Sequence, residues 1–199
     1  MTTSFRKKFL PSLANQQNLS WQQFAEQYPS CAEQLLDEGA PQSIADFKTI
    51  IALSDFVLRS ALQAPELVIN LFIQRIIYQS PSPDYQALLN KRLSGCENEV
   101  DLHRQLRLFR LEQMVSIATL DLVLNIPLDE SLKRLSQLAD VLILEAIAWL
   151  SHFCYQKWGT PTNNQGEVQP LLVYGMGKLG GQELNFSSDI DLIFVYPEK

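Results

Sequence analysis

Asp189 and Asp191 stand one residue apart in GMGKLGGQELNFSSDIDLIFVYPEK, which fills Gly175 to Lys199. Side chains at i and i+2 of a β-strand share a face, so the sequence predicts two carboxylates presented together, with Ile190 on the opposite face. Paired carboxylates suit a hard divalent ion such as Mg²⁺, which takes oxygen ligands and leaves positions for substrate phosphates. Two such ions, about 3.5–4 Å apart, can clamp the attacking and leaving oxygens of an in-line phosphoryl displacement. Upstream lie Gly177, Gly180 and Gly181, where missing side chains let backbone N–H groups approach phosphate oxygens. Lys178 adds positive charge there, and Ser187 and Ser188 supply hydroxyl donors. The residues thus predict a metal-assisted phosphoryl-transfer site with Asp189 and Asp191 as metal ligands.

Two other readings compete for the same residues. Gly175-Met-Gly177-Lys-Leu-Gly180 is a literal GxGxxG after an apolar run, as in dinucleotide-binding turns. A parallel crossover needs a dozen or more residues, mostly helix, and the stretch Gly181–Ser188 is too short for one. The third reading is an ordinary hairpin, with Gly180-Gly181 as a tight turn and Ser187-Ser188-Asp189 turning the chain into a strand.

The elements that must position these residues are two short strands, LLVYG (Leu171–Gly175) and DLIFVY (Asp191–Tyr196). Most of the preceding chain carries helical periodicity. One helix is expected over Ser43–Gln63, ending before Pro65, and another over Pro65–Gln79, closed by the SPSP of Ser80–Pro83. A shorter one follows in Asp84–Leu93, then two long amphipathic stretches, Asn98–Asn125 and Asp129–Trp158. GTPTNNQGEVQP, from Gly159, reads as a linker or long loop. The expected organisation is a helical region over 1–158, a linker over 159–170, and the start of an α/β element over 171–199. Apolar residues at helical spacing in the long stretches read as core. Arg104, Arg107 and Arg110 form a basic stripe, which reads as a solvated face or as a surface that helps to meet phosphate or an acidic partner.

Composition narrows the class. The 199 residues are 46% hydrophobic, enough for a sizeable core, and the net charge is −6. The densest basic cluster is FRKK at Phe5–Lys8, so the charge argues against a nucleic-acid partner. Cys31, Cys96 and Cys154 are odd in number and far apart, which predicts free thiols in a reducing cytoplasm. The N-terminus lacks the apolar core of a signal peptide. The most apolar stretch, ADVLILEAIAWL, is interrupted by Glu145 and reads as too short to span a membrane.

The spacing of Met176-Gly177-Lys178 and Asp189-Ile190-Asp191 resembles the polymerase-β-like nucleotidyltransferases, with Lys178 where that pattern usually has Gly or Ser. More narrowly, GMGKLGGQELNFSSDIDLIF resembles the signature of the bifunctional glutamine synthetase adenylyltransferase/adenylyl-removing enzymes. ALSDFVLRSALQAPELV (Ala52–Val68) and LRLFRLEQMVSIATLDL (Leu106–Leu122) resemble stretches of their N-terminal helical region. The likeness runs from about Ile51 to Lys199. It implies an α+β fold, a helical region followed by the first strands of a nucleotidyltransferase domain. The NFSSDIDLIF form resembles the adenylyl-removing half, which takes AMP off a tyrosine of glutamine synthetase by phosphorolysis, with phosphate as nucleophile and ADP as product. It further implies Asp189 and Asp191 as Mg²⁺ ligands, Gly177, Lys178, Gly180 and Gly181 in the phosphate-binding turn, and Ser187 and Ser188 near the nucleotide. ATP or ADP would be bound, and the PII signal protein is a regulatory partner of the full-length family.

That family continues beyond the equivalent of Lys199, where a later strand supplies a third carboxylate; Glu198, directly behind Pro197, is poorly placed to replace it. The chain therefore reads as a truncated N-terminal fragment, weak or inactive alone. The alternatives are a non-catalytic helical interaction module and a nucleotidyltransferase of the same fold with another substrate.

Overall fold

The computed structural model describes residues 11–78 and 83–197; Phe5–Lys8, Ser80–Ser82 and Glu198 lie outside them. The fold is α+β, as expected: helices α1 (Pro11–Gln27) to α8 (Leu128–Trp158) precede strand β1 (Leu172–Gly175), a single helical turn α9 (Gly177–Gly180) and strand β2 (Leu192–Val195). The chain forms two compact units, one drawn from Met1–Pro81 and Leu111–Ile126, the other from Ser82–Arg110 and Pro127–Lys199.

In the first unit, α2 (Pro29–Glu38), α3 (Pro41–Leu53) and α5 (Pro65–Ile73) each start on a proline, whose missing N–H is no loss in a first turn. The helix expected over Ser43–Gln63 is two helices. Ser54 leaves helical geometry and caps α4 (Asp55–Gln63), its side chain accepting from the Val57 N–H at 3.3 Å. The helix expected to Gln79 stops at Ile73 because Arg75 takes a left-handed φ of 55°, and a 3-10 turn follows at Ile76–Tyr78. Helix α1 packs on α3, and α2 on α5. Phe24, Phe47 and Phe72 are fully buried, with Phe47 5.1 Å from Phe24 and 5.2 Å from Phe72 between ring centroids. Buried Asp46 accepts from Gln42 at 2.7 Å and from the Tyr78 hydroxyl at 2.9 Å.

In the second unit, Asp84 caps α6 (Tyr85–Leu93) through the Ala87 N–H at 2.9 Å. Asn98 accepts from the Asp101 N–H at 3.0 Å where α7 (Glu99–Leu122) begins. Arg104, Arg107 and Arg110 are exposed along α7. Helix α6 packs on α8, where Arg134 is buried and bridged to Glu130 at 2.6 Å. On length and composition α8 is apolar enough to cross a membrane, which corrects the expectation that no stretch is. Ser131, Arg134, Leu135, Ser136 and Leu138 are buried in its first third, and no residue of α8 beyond Leu138 is fully buried. The Gly159–Pro170 stretch contains a tight turn: Thr162 pairs with Val168, and Asn163 Oδ1 accepts from Gln165 and Glu167 N–H, both at 2.9 Å.

Strands β1 and β2 are antiparallel, pairing Leu172 with Val195, Val173 with Phe194, Tyr174 with Ile193 and Gly175 with Leu192. Antiparallel pairing excludes the parallel crossover of a dinucleotide-binding unit, so the GxGxxG is not such a turn. Both faces of the hairpin are open: Tyr174 is 55% and Phe194 58% exposed.

Candidate active site

The glycine turn begins where β1 ends. Gly177 has φ 55°, a left-handed value that a side chain resists. Gly180 packs against the backbone, so that a Cβ there would sit 2.7 Å from the Gly175 carbonyl oxygen. Between them, Gly180 N–H donates to Met176 O at 3.3 Å and Gly181 N–H to Gly177 O at 3.1 Å, closing α9 as one turn. Leu179 is its one buried side chain, and Lys178 is exposed.

The turn and the carboxylate pair are joined directly. Met176 N–H donates to Asp191 O at 2.9 Å, extending the ladder one step beyond the Gly175–Leu192 pair. The strand proper begins at Leu192, so strand alternation alone does not fix Asp189. Asp189 is held from its other side by a turn next to the one expected at Ser187-Ser188-Asp189, organised by Asn185. Asn185 Oδ1 accepts from the Ser187 N–H at 3.1 Å and from the Ser187 and Ser188 hydroxyls at 3.2 and 2.8 Å. The Ser188 oxygen accepts from the Asn185 N–H at 3.1 Å. Each serine has one hydroxyl proton, and both protons are engaged by Asn185. An Asn two residues before a Ser is the signal that could have revealed this turn.

Asp189 and Asp191 are both exposed, and among the described residues neither carboxylate has a hydrogen bond or ion pair. Solvated, unengaged carboxylates are a donor set that fits Mg²⁺, which keeps several waters and is held through one or two carboxylates plus substrate phosphates. Among the described residues no third His, Cys, Asp or Glu joins them.

Two contacts from α8 complete the surroundings, at sequence separations that no local pattern reveals. The buried Leu184 N–H donates to Ser136 Oγ at 3.1 Å, and Gln182 Nε2 donates to Asp140 Oδ2 at 2.9 Å.

A glycine turn hydrogen-bonded to a strand that opens on two solvated carboxylates defines a candidate nucleotidyl-transfer site. The chain matches the family described as GlnE, glutamate-ammonia ligase adenylyltransferase, over residues 44–199, and it belongs to that family. The family is one of nucleotidyltransferases, and its name gives the reaction: adenylyl transfer on glutamate-ammonia ligase, which is glutamine synthetase. The likeness first seen in the glycine–DxD motif and two helical stretches therefore holds across both compact units.

Proposed function

We propose that the chain carries the adenylyl-removing site of this family, acting by phosphorolysis on the AMP-tyrosine of glutamine synthetase. A phosphate oxygen attacks the adenylyl phosphorus, the phosphorus–tyrosine oxygen bond breaks, ADP leaves, and the tyrosine oxygen takes a proton. Asp189 and Asp191 hold Mg²⁺, which when bound neutralises charge on the phosphate oxygens. Gly177, Lys178, Gly180 and Gly181 accommodate the phosphates, and Ser187 and Ser188 border the nucleotide. The protein contributes position and charge, which is most of what phosphoryl transfer requires. The observation that supports this reading is the Met176–Asp191 backbone bond, which joins the glycine turn to the segment carrying Asp191. The NFSSDIDLIF form of the motif supports removal rather than addition of AMP, and the free cysteines fit a cytoplasmic enzyme.

With two carboxylates at the site among the described residues, the chain is expected to bind Mn²⁺ with ADP but to turn over slowly. Titrating Mn²⁺ and ADP into the purified chain tests this. Binding lost in Asp189→Asn supports the site; no binding to the native chain overturns it. A second reading is favoured by the first unit, whose described helices close an aromatic core of their own: a helical interaction module. A chain that folds and captures glutamine synthetase without binding nucleotide would establish it.

A further inference from the structure

We propose that Ser136 and Asp140 of α8 are positioning residues for the Asp189–Asp191 pair, acting through the turn at Leu179–Leu184. The inference rests on the reading of those aspartates as the site and adds the element that holds them. Ser136 and Asp140 are one helical turn apart, so they lie on one stripe of α8.

Ser136 is completely buried. Its hydroxyl donates to Leu132 O at 2.9 Å while its oxygen accepts from the Leu184 N–H, 48 positions along the chain. A mid-helix serine that only bonds back to its own helix slightly weakens it. Here the same oxygen satisfies a buried N–H that otherwise has no acceptor. Leu184 is itself buried, at 4% exposure, so the chain is pinned there by side chain and backbone together.

Gln182 supplies independent support. Its φ is 58°, a left-handed value disfavoured for residues other than glycine, and it directly follows two glycines. Backbone geometry alone calls for a third glycine. Gln182 instead uses its side chain, donating to Asp140 at 2.9 Å and to Leu179 O at 3.4 Å. The strain is retained where the side chain ties the turn to α8. From Leu184 the chain enters the Asn185 turn, passes Asp189, and rejoins the ladder at Asp191. Both ends of the carboxylate segment are therefore fixed, one by α8 and one by β1.

The test uses the full chain and two measurements: Mn²⁺ affinity in the presence of ADP, and hydrogen exchange at the Met176 amide. That amide bonds Asp191 O and makes no contact with Ser136 or Asp140 through a hydrogen bond, so a merely local role for α8 leaves it unmoved. Ser136→Ala is expected to weaken Mn²⁺ binding about tenfold and to speed Met176 exchange by a similar factor, the effect of losing one buried hydrogen bond. Asp140→Ala should act in the same direction, and Asp140→Asn, which keeps an oxygen acceptor, should restore native behaviour. Gln182→Gly relieves backbone strain and is still expected to loosen the site. Asp140 is half-exposed, so its variants report even if Ser136→Ala unfolds the unit. Native Met176 exchange and Mn²⁺ affinity in both Ser136→Ala and Asp140→Ala overturn the proposal, as does a tighter site in Gln182→Gly. If the native chain binds no Mn²⁺, the functional reading fails and Met176 exchange alone decides the positioning role.

Discussion

Phe47 and Phe194 are the same residue in opposite circumstances. Phe47 is fully buried, with Phe24, Phe72 and Trp21 around it at ring separations of 5.1, 5.2 and 6.3 Å. Phe194 is 58% exposed on a two-stranded hairpin where Leu172, Tyr174, Ile193 and Val195 are exposed too. The helical unit is held by packing. The hairpin is held by its backbone ladder, by two glycines that tolerate what a side chain cannot, and by hydrogen bonds to α8. Isolated two-stranded hairpins are marginal in water, so these ties matter more here than apolar area. Stability in the first region and geometry in the second are separable properties, and substitutions should sort accordingly.

The largest expected effect is in the aromatic core. Phe47→Ala should destabilise the first unit by about 3–5 kcal/mol, through lost burial and a cavity that the surrounding rings cannot fill. Urea unfolding followed by tryptophan fluorescence measures it, since Trp21 packs edge-on against Phe47 at 6.3 Å. A loss below about 1 kcal/mol would mean the core is not built on this residue. Next comes the glycine turn. Gly180→Ala places a methyl group 2.7 Å from the Gly175 carbonyl and should cost about 1–3 kcal/mol in hairpin protection, read by hydrogen exchange at Met176 and Gly181. Gly181 has φ −83° and no neighbour nearer than 3.6 Å to an added Cβ, so Gly181→Ala should stay within about 0.5 kcal/mol. Equal costs at the two positions would break the distinction between a turn fixed by close approach and one that merely contains glycines.

What the sequence made legible follows the same division. Helices α6, α7 and α8 and both strands stand within a few residues of their expected bounds, because proline, Asp84, Asn98 and apolar spacing are local signals. The break at Ser54 is not legible because Ile51 and Leu58, seven positions apart, keep a helical repeat across it, and the cap lies in a backbone angle. The left-handed Arg75 was missed for a similar reason: no glycine or proline marks it. Helices α1 and α2 are not marked by local pattern, because polar Gln and Glu positions dilute the apolar period. At the proposed site, the glycines and carboxylates are read from type and spacing. The Ser136–Leu184 and Asp140–Gln182 bonds are not, because they join residues 48 and 42 positions apart.

A smaller effect is expected where polarity enters the helical unit. Burial first, and then the hydrogen bond and negative charge of Asp46, push the Tyr78 hydroxyl pKa above its ordinary value. The neutral phenol is the form the fold favours. Its contribution is therefore fully present below the unfolded-state value, near pH 10, and is lost as pH rises through the higher folded-state value. Tyr78→Phe should cost about 1 kcal/mol at neutral pH, since Asp46 keeps its bond from Gln42 at 2.7 Å. It should also flatten the fall in stability above pH 10. Denaturation midpoints measured from pH 7 to 11 in both proteins check the sign; a steeper alkaline fall in the variant contradicts it.

The smallest effect belongs to the residue that most looks like core by type. Phe194→Ser removes a large aromatic from a strand facing solvent, so little water-excluded area is lost. Val173 and Phe194 are cross-strand partners, and such a pair contributes only a few tenths of a kcal/mol up to about 1. The substitution should shift Met176 exchange less than threefold and leave the unfolding of the aromatic unit unchanged. It should also leave Mn²⁺ affinity unchanged, because the Met176–Asp191 bond is made by backbone atoms. A loss of Mn²⁺ affinity in Phe194→Ser comparable to that of Asp189→Asn would show that side-chain packing on the hairpin, rather than its ladder and its ties to α8, sets the carboxylates.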